Sequence, residues 1–156
     1  MDIDTLLSHR GTLTIIAAAV LIPAAVIWSL VRARRHQQFL FANDEAFAAL
    51  TKTQQKNVTR LYTGLVAFEK AYLASRQDVI EMNLKYVFDK YHTEVAGEEY
   101  GAYRAVSYEY HGLIELHGNH FDEASEWFAR AQAVRGDKEL FTESARKHMA
   151  RIERRQ

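Results

Sequence analysis

Histidine is the side chain best placed to do chemistry in this sequence. His111, Glu115, His117 and His120 crowd the end of one helical stretch, and i, i+4 spacing puts His111 and Glu115 on one helix face. Imidazole nitrogens beside a carboxylate are the raw material of a metal site. Against that reading, His117 and His120 straddle an expected turn, and the HExxH spacing of a helix-borne zinc pair is absent. Solvated turn histidines are the simpler expectation, and no metal or other cofactor is expected. The chain has no cysteine, which removes thiol nucleophiles, thiolate metal sites and disulfides. It also has no glycine-rich phosphate loop and no GxSxG. Glu98–Glu99 and Asp122–Glu123 are neighbours near helix starts, where carboxylates complement the helix dipole rather than form an acid–base pair. The expectation is therefore not an enzyme.

The elements that carry these residues divide unevenly. A chain of 156 residues suggests one compact domain and one appendage. Residues 11–31 contain no charge, and ten of them are Leu, Ile or Val. As a helix they would be about 31 Å long, close to the thickness of bilayer hydrocarbon. The remaining chain is too small to bury such a helix on every side. A cleaved signal peptide is disfavoured by Asp2 and Asp4 at the start and by the lack of a small-residue site after the apolar run. The expectation is a transmembrane helix, with Trp28 at the headgroup level and Arg32, Arg34 and Arg35 as a basic collar at the membrane interface. The collar outweighs Arg10, so the positive-inside rule places the carboxy-terminal domain in the cytoplasm, at a cell (inner or plasma) membrane. The division is then a short tail over 1–10, the span over 11–31, a collar and linker helix over 32–53, and a helical domain over 54–156.

Within that domain apolar residues recur at three- and four-residue spacing. A short helix is expected within 44–50. Residues 54–75 carry Val58, Leu61, Leu65, Phe68 and Tyr72; residues 77–93 carry Ile80, Leu84, Val87 and Tyr91. Residues 98–117 carry Tyr103, Val106, Tyr110 and Leu113, and 121–134 carry Phe121, Ala124, Phe128 and Ala131 with Trp127 beside them. A last helix over 138–154 carries Phe141, Ala145, Met149 and Ile152, with Gly136 ending its predecessor and Asp137 as its cap. No segment alternates with period two. Only seven glycines and one proline interrupt the chain, and the short gaps make successive helices antiparallel neighbours. The fold class is all-α.

Residues 105–138 resemble one tetratricopeptide repeat. The resemblance rests on Tyr108, His111-Gly112 and Glu115, then Asn119-His120-Phe121-Asp122-Glu123-Ala124, Phe128 and Ala131. Small residues at Gly112, Ala124 and Ala131 would let two helix backbones approach, with Phe121 and Phe128 between them. Asn119 stands at the turn, where a positive φ is expected. The sequence departs from the family at His111, Glu115 and Gly136, where leucine, an aromatic and proline are usual. A shift by one repeat length puts Lys90 and Glu94 on apolar positions, so there is one copy only. One repeat cannot bury its own faces. The helices within 54–93 must pack on it as a degenerate pair, and residues 138–154 as a capping helix. The resemblance implies a protein-binding groove lined by Val106, Glu109, Tyr110, Leu113, Leu116 and His117, with Glu109 favouring a basic or apolar ligand.

Charge is segregated although the net charge is zero. Residues 32–76 hold eight Lys/Arg against three Asp/Glu, residues 77–126 three against eleven, and residues 127–156 eight against four. Much of this is solvated face and internal complementarity. The basic tail, with Arg146, Lys147, Arg151, Arg154 and Arg155, is suited to anionic lipid kept close by the span. Nucleic acid is not expected, since no aromatics interleave with those basic residues. The leading expectation is a membrane-anchored, tetratricopeptide-like adaptor or accessory subunit binding a protein partner in a membrane complex. A self-associating structural membrane protein, a homo-oligomer without a separate ligand, is the alternative.

Overall fold

The computed structural model describes residues 44–136 and 139–154. The expected span over 11–31, Trp28, Arg32, Arg34 and Arg35, and the expected cap Asp137 all lie outside the described residues. Among the described residues no helix is long and apolar enough to cross a membrane, and no strand is present.

The helices are α1 (Glu45–Ala49), α2 (Lys52–Leu73), α3 (Gln77–Asn83), α4 (Asp89–Val95), α5 (Arg104–His117), α6 (Phe121–Arg135) and α7 (Glu143–Glu153). A π-helical turn, Leu84–Phe88, joins α3 to α4, and a 3₁₀ segment, Glu98–Tyr103, precedes α5. The architecture is all-α, as the periodicity requires.

The central element is α2. Thr51 opens it with a capping box: its hydroxyl accepts from the Gln54 amide, while the Gln54 side chain accepts from the Thr51 amide at 2.9 Å. Val58, Leu61, Leu65 and Phe68 are fully buried, one apolar stripe at helical spacing. At its far end Ser75 takes φ 54° and the Arg76 amide reaches back to the Ala71 carbonyl at 2.8 Å, so the helix ends in a left-handed turn rather than fraying.

Two glycines set how closely the neighbours approach. A Cβ at Gly64 would collide with Val87 of the π turn, so α2 and the α3–α4 element meet backbone to side chain. A Cβ at Gly112 would enter the Phe128 ring, which lies wholly buried between α5 and α6. These two helices form a hairpin across residues 118–120. Asn119 takes φ 64° there, and the His120 amide donates to the Glu115 carbonyl at 2.9 Å.

The helix expected over 77–93 runs on to Val95 and contains the π turn. The extra residue lets Phe88 and Tyr91 both turn inward, at 7% exposure each. Residues 98–103 form a 3₁₀ segment rather than the first turns of α5. Its Gly101 has φ 52° and ψ −128°, which no α-helix accommodates. The Tyr100 hydroxyl is held there by Glu94, to which it donates at 2.9 Å, and by Asn57, which donates to both. That network ties α2, α4 and the 3₁₀ segment together.

Candidate functional site

The residues expected to line a groove form the core instead. Val106, Glu109, Tyr110 and Leu113 are fully buried and Leu116 is 8% exposed. Their side chains are covered because α2 packs on one side of α5 while the close α6 hairpin covers the other. His117 is half-buried, its ring edge-on to Phe68 and Tyr72. An open groove along this face of α5 is therefore ruled out by packing among the described residues, and Leu116 borders the cleft beside α7.

Glu109 has a specific structural role. Its carboxylate accepts from the Phe141 amide at 2.8 Å, the Thr142 amide at 2.7 Å and the Thr142 hydroxyl at 2.6 Å. Thr142 is the residue before α7, so a carboxylate from another helix does the work of an N-cap. Glu69 of α2 adds to this, accepting from the Ser144 amide at 2.7 Å. The start of α7 is thereby fixed at Glu143 rather than near 138. Arg135, whose guanidinium lies 3.6 Å from the centroid of the Phe141 ring, is the compensating charge. Burial pushes the Glu109 carboxyl above the usual glutamate range, opposed by the Thr142 hydroxyl, the two amides and Arg135.

Tyr110 is a second buried polar group, and its hydroxyl has no hydrogen-bond partner among the described residues. Burial pushes its phenol well above the ordinary range. Its ring packs against Phe68 and Phe88, so the aromatic body is required and the hydroxyl is not. Tyr110→Phe is expected to raise stability by about 1 kcal/mol, since it removes an unsatisfied group without opening a cavity. A urea midpoint at or below that of the parent would contradict this.

The histidines separate. His111 stacks on Trp127 with centroids 4.3 Å apart, with Arg130 on the same indole at 4.6 Å. Phe88 and His92 meet the His111 ring edge-on. His120 pairs with Glu115 at 2.8 Å in an exposed turn. Among the described residues no group of three or more His, Asp or Glu side chains is arranged to hold a metal ion.

Desolvation, then the charge of His92, hold His111 below the ordinary imidazole range, with Glu115 opposing. A base with a depressed folded pKa contributes stability that is present above its unfolded pKa and lost as pH falls through its folded pKa. The domain should therefore weaken as pH drops below the unperturbed imidazole value of about 6.5. His111→Phe, which keeps the stack on Trp127, should flatten that slope in urea titrations. An unchanged slope would exclude His111 as its source. Glu109 acts in the opposite sense: its raised pKa favours the folded state at low pH and less so as pH rises.

The described residues contain a cleft of about 540 Å³ where the ends of α2 and α5 meet α6 and α7. Leu116 and half-buried Tyr72 and Ile152 give it apolar walls. Leu73 and Phe121 border it at 66% and 54% exposure. Phe121 was expected in the core. It is the first residue of α6 and lies past the end of α5, where among the described residues its ring meets that of His148 at 6.1 Å. Lys147 and Arg151 of α7 supply positive charge, and Asp122 one negative charge.

Ser125 and His148 meet within this cleft, 2.9 Å apart. The Ser125 hydroxyl donates to the Phe121 carbonyl at 2.6 Å, and His148 Nε2 lies 3.2 Å from that same carbonyl. A carbonyl only accepts, so Nε2 carries hydrogen and points away from the role of base. The pair is a polar tie between α6 and α7, not an activated nucleophile.

This cleft leaves little mark on the amino-acid order, except that Leu73 lies off the Val58–Tyr72 stripe. No protein-family model matches the chain, and no curated protein and no solved structure matches it either.

Proposed function

We propose that this chain is a single-pass membrane-anchored adaptor or accessory subunit. Its helical domain, tetratricopeptide-like in the α5–α6 hairpin, holds a partner protein in the cytoplasm through the cleft beside α7. The observation that carries the reading is the pairing of Leu73 and Phe121, both large, apolar and more than half exposed, at one concave site. Concave apolar surface with a few polar groups is the usual form of a binding site. The uncharged run over 11–31 supports the anchor, and the Gly112–Phe128 packing with Asn119 at the turn supports the repeat-like hairpin. Tethering raises the effective concentration of a partner in the same membrane, so a small cleft suffices.

The test is photocrosslinking in cells from a reactive residue at position 73, with the captured protein identified by mass spectrometry. One defined partner is expected. Phe121→Glu should cut its yield about tenfold or more, as the loss of one buried aromatic anchor implies. Equal yield from position 73 and from a remote exposed position such as 56 would defeat the reading.

A self-associating protein is the second reading, favoured by Met82 and Tyr86, exposed at 55% and 62% one helical turn apart. Mass measurement of the full-length protein distinguishes it: a monomer excludes self-association, whereas an oligomer broken by Tyr86→Glu supports it.

A further inference from the structure

The cleft has an ordered chemistry along α7. Ser144, Lys147, His148, Arg151 and Ile152 all border it, at spacings of i, i+3, i+4, i+7 and i+8. That is one complete helix face. The single buried residue of α7 is Ala145, which flanks this face beside Ile152. Along these two turns, about 12 Å, Ser144, His148 and Ile152 are half-buried while Lys147 and Arg151 are exposed.

On that face Lys147 and Arg151 are successive basic residues, and His148 and Ile152 run beside them. Lys147 already pairs with Glu143 at 2.6 Å. Arg151 makes no ion pair among the described residues. The rest of the cleft is apolar apart from Asp122 and the satisfied Ser125–His148 tie.

We propose that the cleft binds an amphipathic helical segment of a partner protein, with large apolar side chains facing Leu73 and Phe121 and a carboxylate facing Arg151. Helix-in-groove recognition sets the ligand's apolar anchors on one side of its helix, and here exposed Leu73 and Phe121 border the same cleft as exposed Lys147 and Arg151. The charge pattern favours a discrete carboxylate over a lipid surface. One basic side chain is engaged by Glu143, and Asp122 at the same cleft would repel a sheet of anionic headgroups. Asp122 also sets direction, because the ligand's acidic side must lie along α7 and away from the start of α6. The inference rests on the adaptor reading and specifies its ligand.

Fluorescence anisotropy with the full-length protein tests it. The probe is a fifteen-residue alanine-based helical peptide with leucines at i, i+3 and i+7 and glutamates flanking them. A second peptide carries lysines in place of those glutamates. The acidic peptide should bind saturably and the basic one roughly tenfold more weakly. Arg151→Glu, on an exposed side chain, should invert that preference. Equal affinity for the two peptides, binding of neither, or an unchanged preference in Arg151→Glu would each overturn the proposal. So would Arg151-dependent binding of phosphatidylglycerol vesicles in the absence of peptide binding. The two readings fail separately: a partner crosslinked from position 73 whose yield ignores Arg151→Glu leaves the adaptor and removes the acidic helix.

Discussion

Glu109→Ala is expected to destabilise the domain by about 3 kcal/mol or more, measured as a fall in the urea midpoint at neutral pH. The substitution removes a wholly buried carboxylate that accepts three hydrogen bonds. It leaves the Phe141 and Thr142 amides and the Thr142 hydroxyl without an acceptor, each costing about 1–3 kcal/mol where it stays buried. It also removes the negative charge whose field favours the half-buried Arg135 guanidinium. Relaxation of the α6–α7 connection toward solvent recovers part of this, which sets the lower figure. Glu109→Gln should fall between, because one amide oxygen still serves Thr142 while the NH₂ group meets a donor. Domains of this size have about 5–15 kcal/mol in total, so the alanine variant should be marginal at physiological temperature. A loss under about 1 kcal/mol would show that the carboxylate does not hold α7.

Gly112→Val is the second large effect. The added Cβ alone runs into Phe128, and the Cγ atoms find no space in a hairpin whose facing residues Ala124, Phe128 and Ala131 are fully buried. Overpacking of this kind costs about 1–3 kcal/mol, and a backbone shift between α5 and α6 would add to it. The β-branched side chain also has a slightly lower helix propensity than alanine, although glycine is poorer still. Gly112→Ala should cost less and couple to its neighbour. With Phe128→Leu, the double variant should be more stable than the sum of the two single losses. Additive losses in thermal unfolding would mean that Gly112 and Phe128 do not share the space.

These two effects also mark what could be read in the amino-acid order. The stripe Val58, Leu61, Leu65 and Phe68 announces a helix because its members are one turn apart, and the small residues Gly112, Ala124 and Ala131 announce a close approach because only residues 118–120 separate the two helices. Glu109 was visible as an acidic residue beside Val106, Tyr110 and Leu113, and the resemblance to a repeat assigned all of them to a groove. Its true partners, Phe141 and Thr142, are more than thirty residues distant and belong to a stretch that looked like helix. The π turn is hidden for a similar reason: it answers to packing of Val87 against Gly64 of α2 rather than to local preference. The cleft is not legible in the sequence because Leu73 and Phe121 are helix-terminal residues, and whether an end is covered depends on where the next element stops.

The clasp on α7 by Glu69 and Glu109 has a consequence for motion. Among the residues of this helix only Ala145 is buried, so the segment has little apolar contact and owes its docking to those carboxylates and to His148 against Ser125 and Phe128. Such an element opens locally at a lower free energy than the whole domain. Because it forms one side of the cleft, any guest that seats there must slow that opening by mass action. Hydrogen–deuterium exchange should show the α7 amides becoming protected first and most as guest is added, while those of Leu61, Leu65 and Phe68 in α2 barely respond.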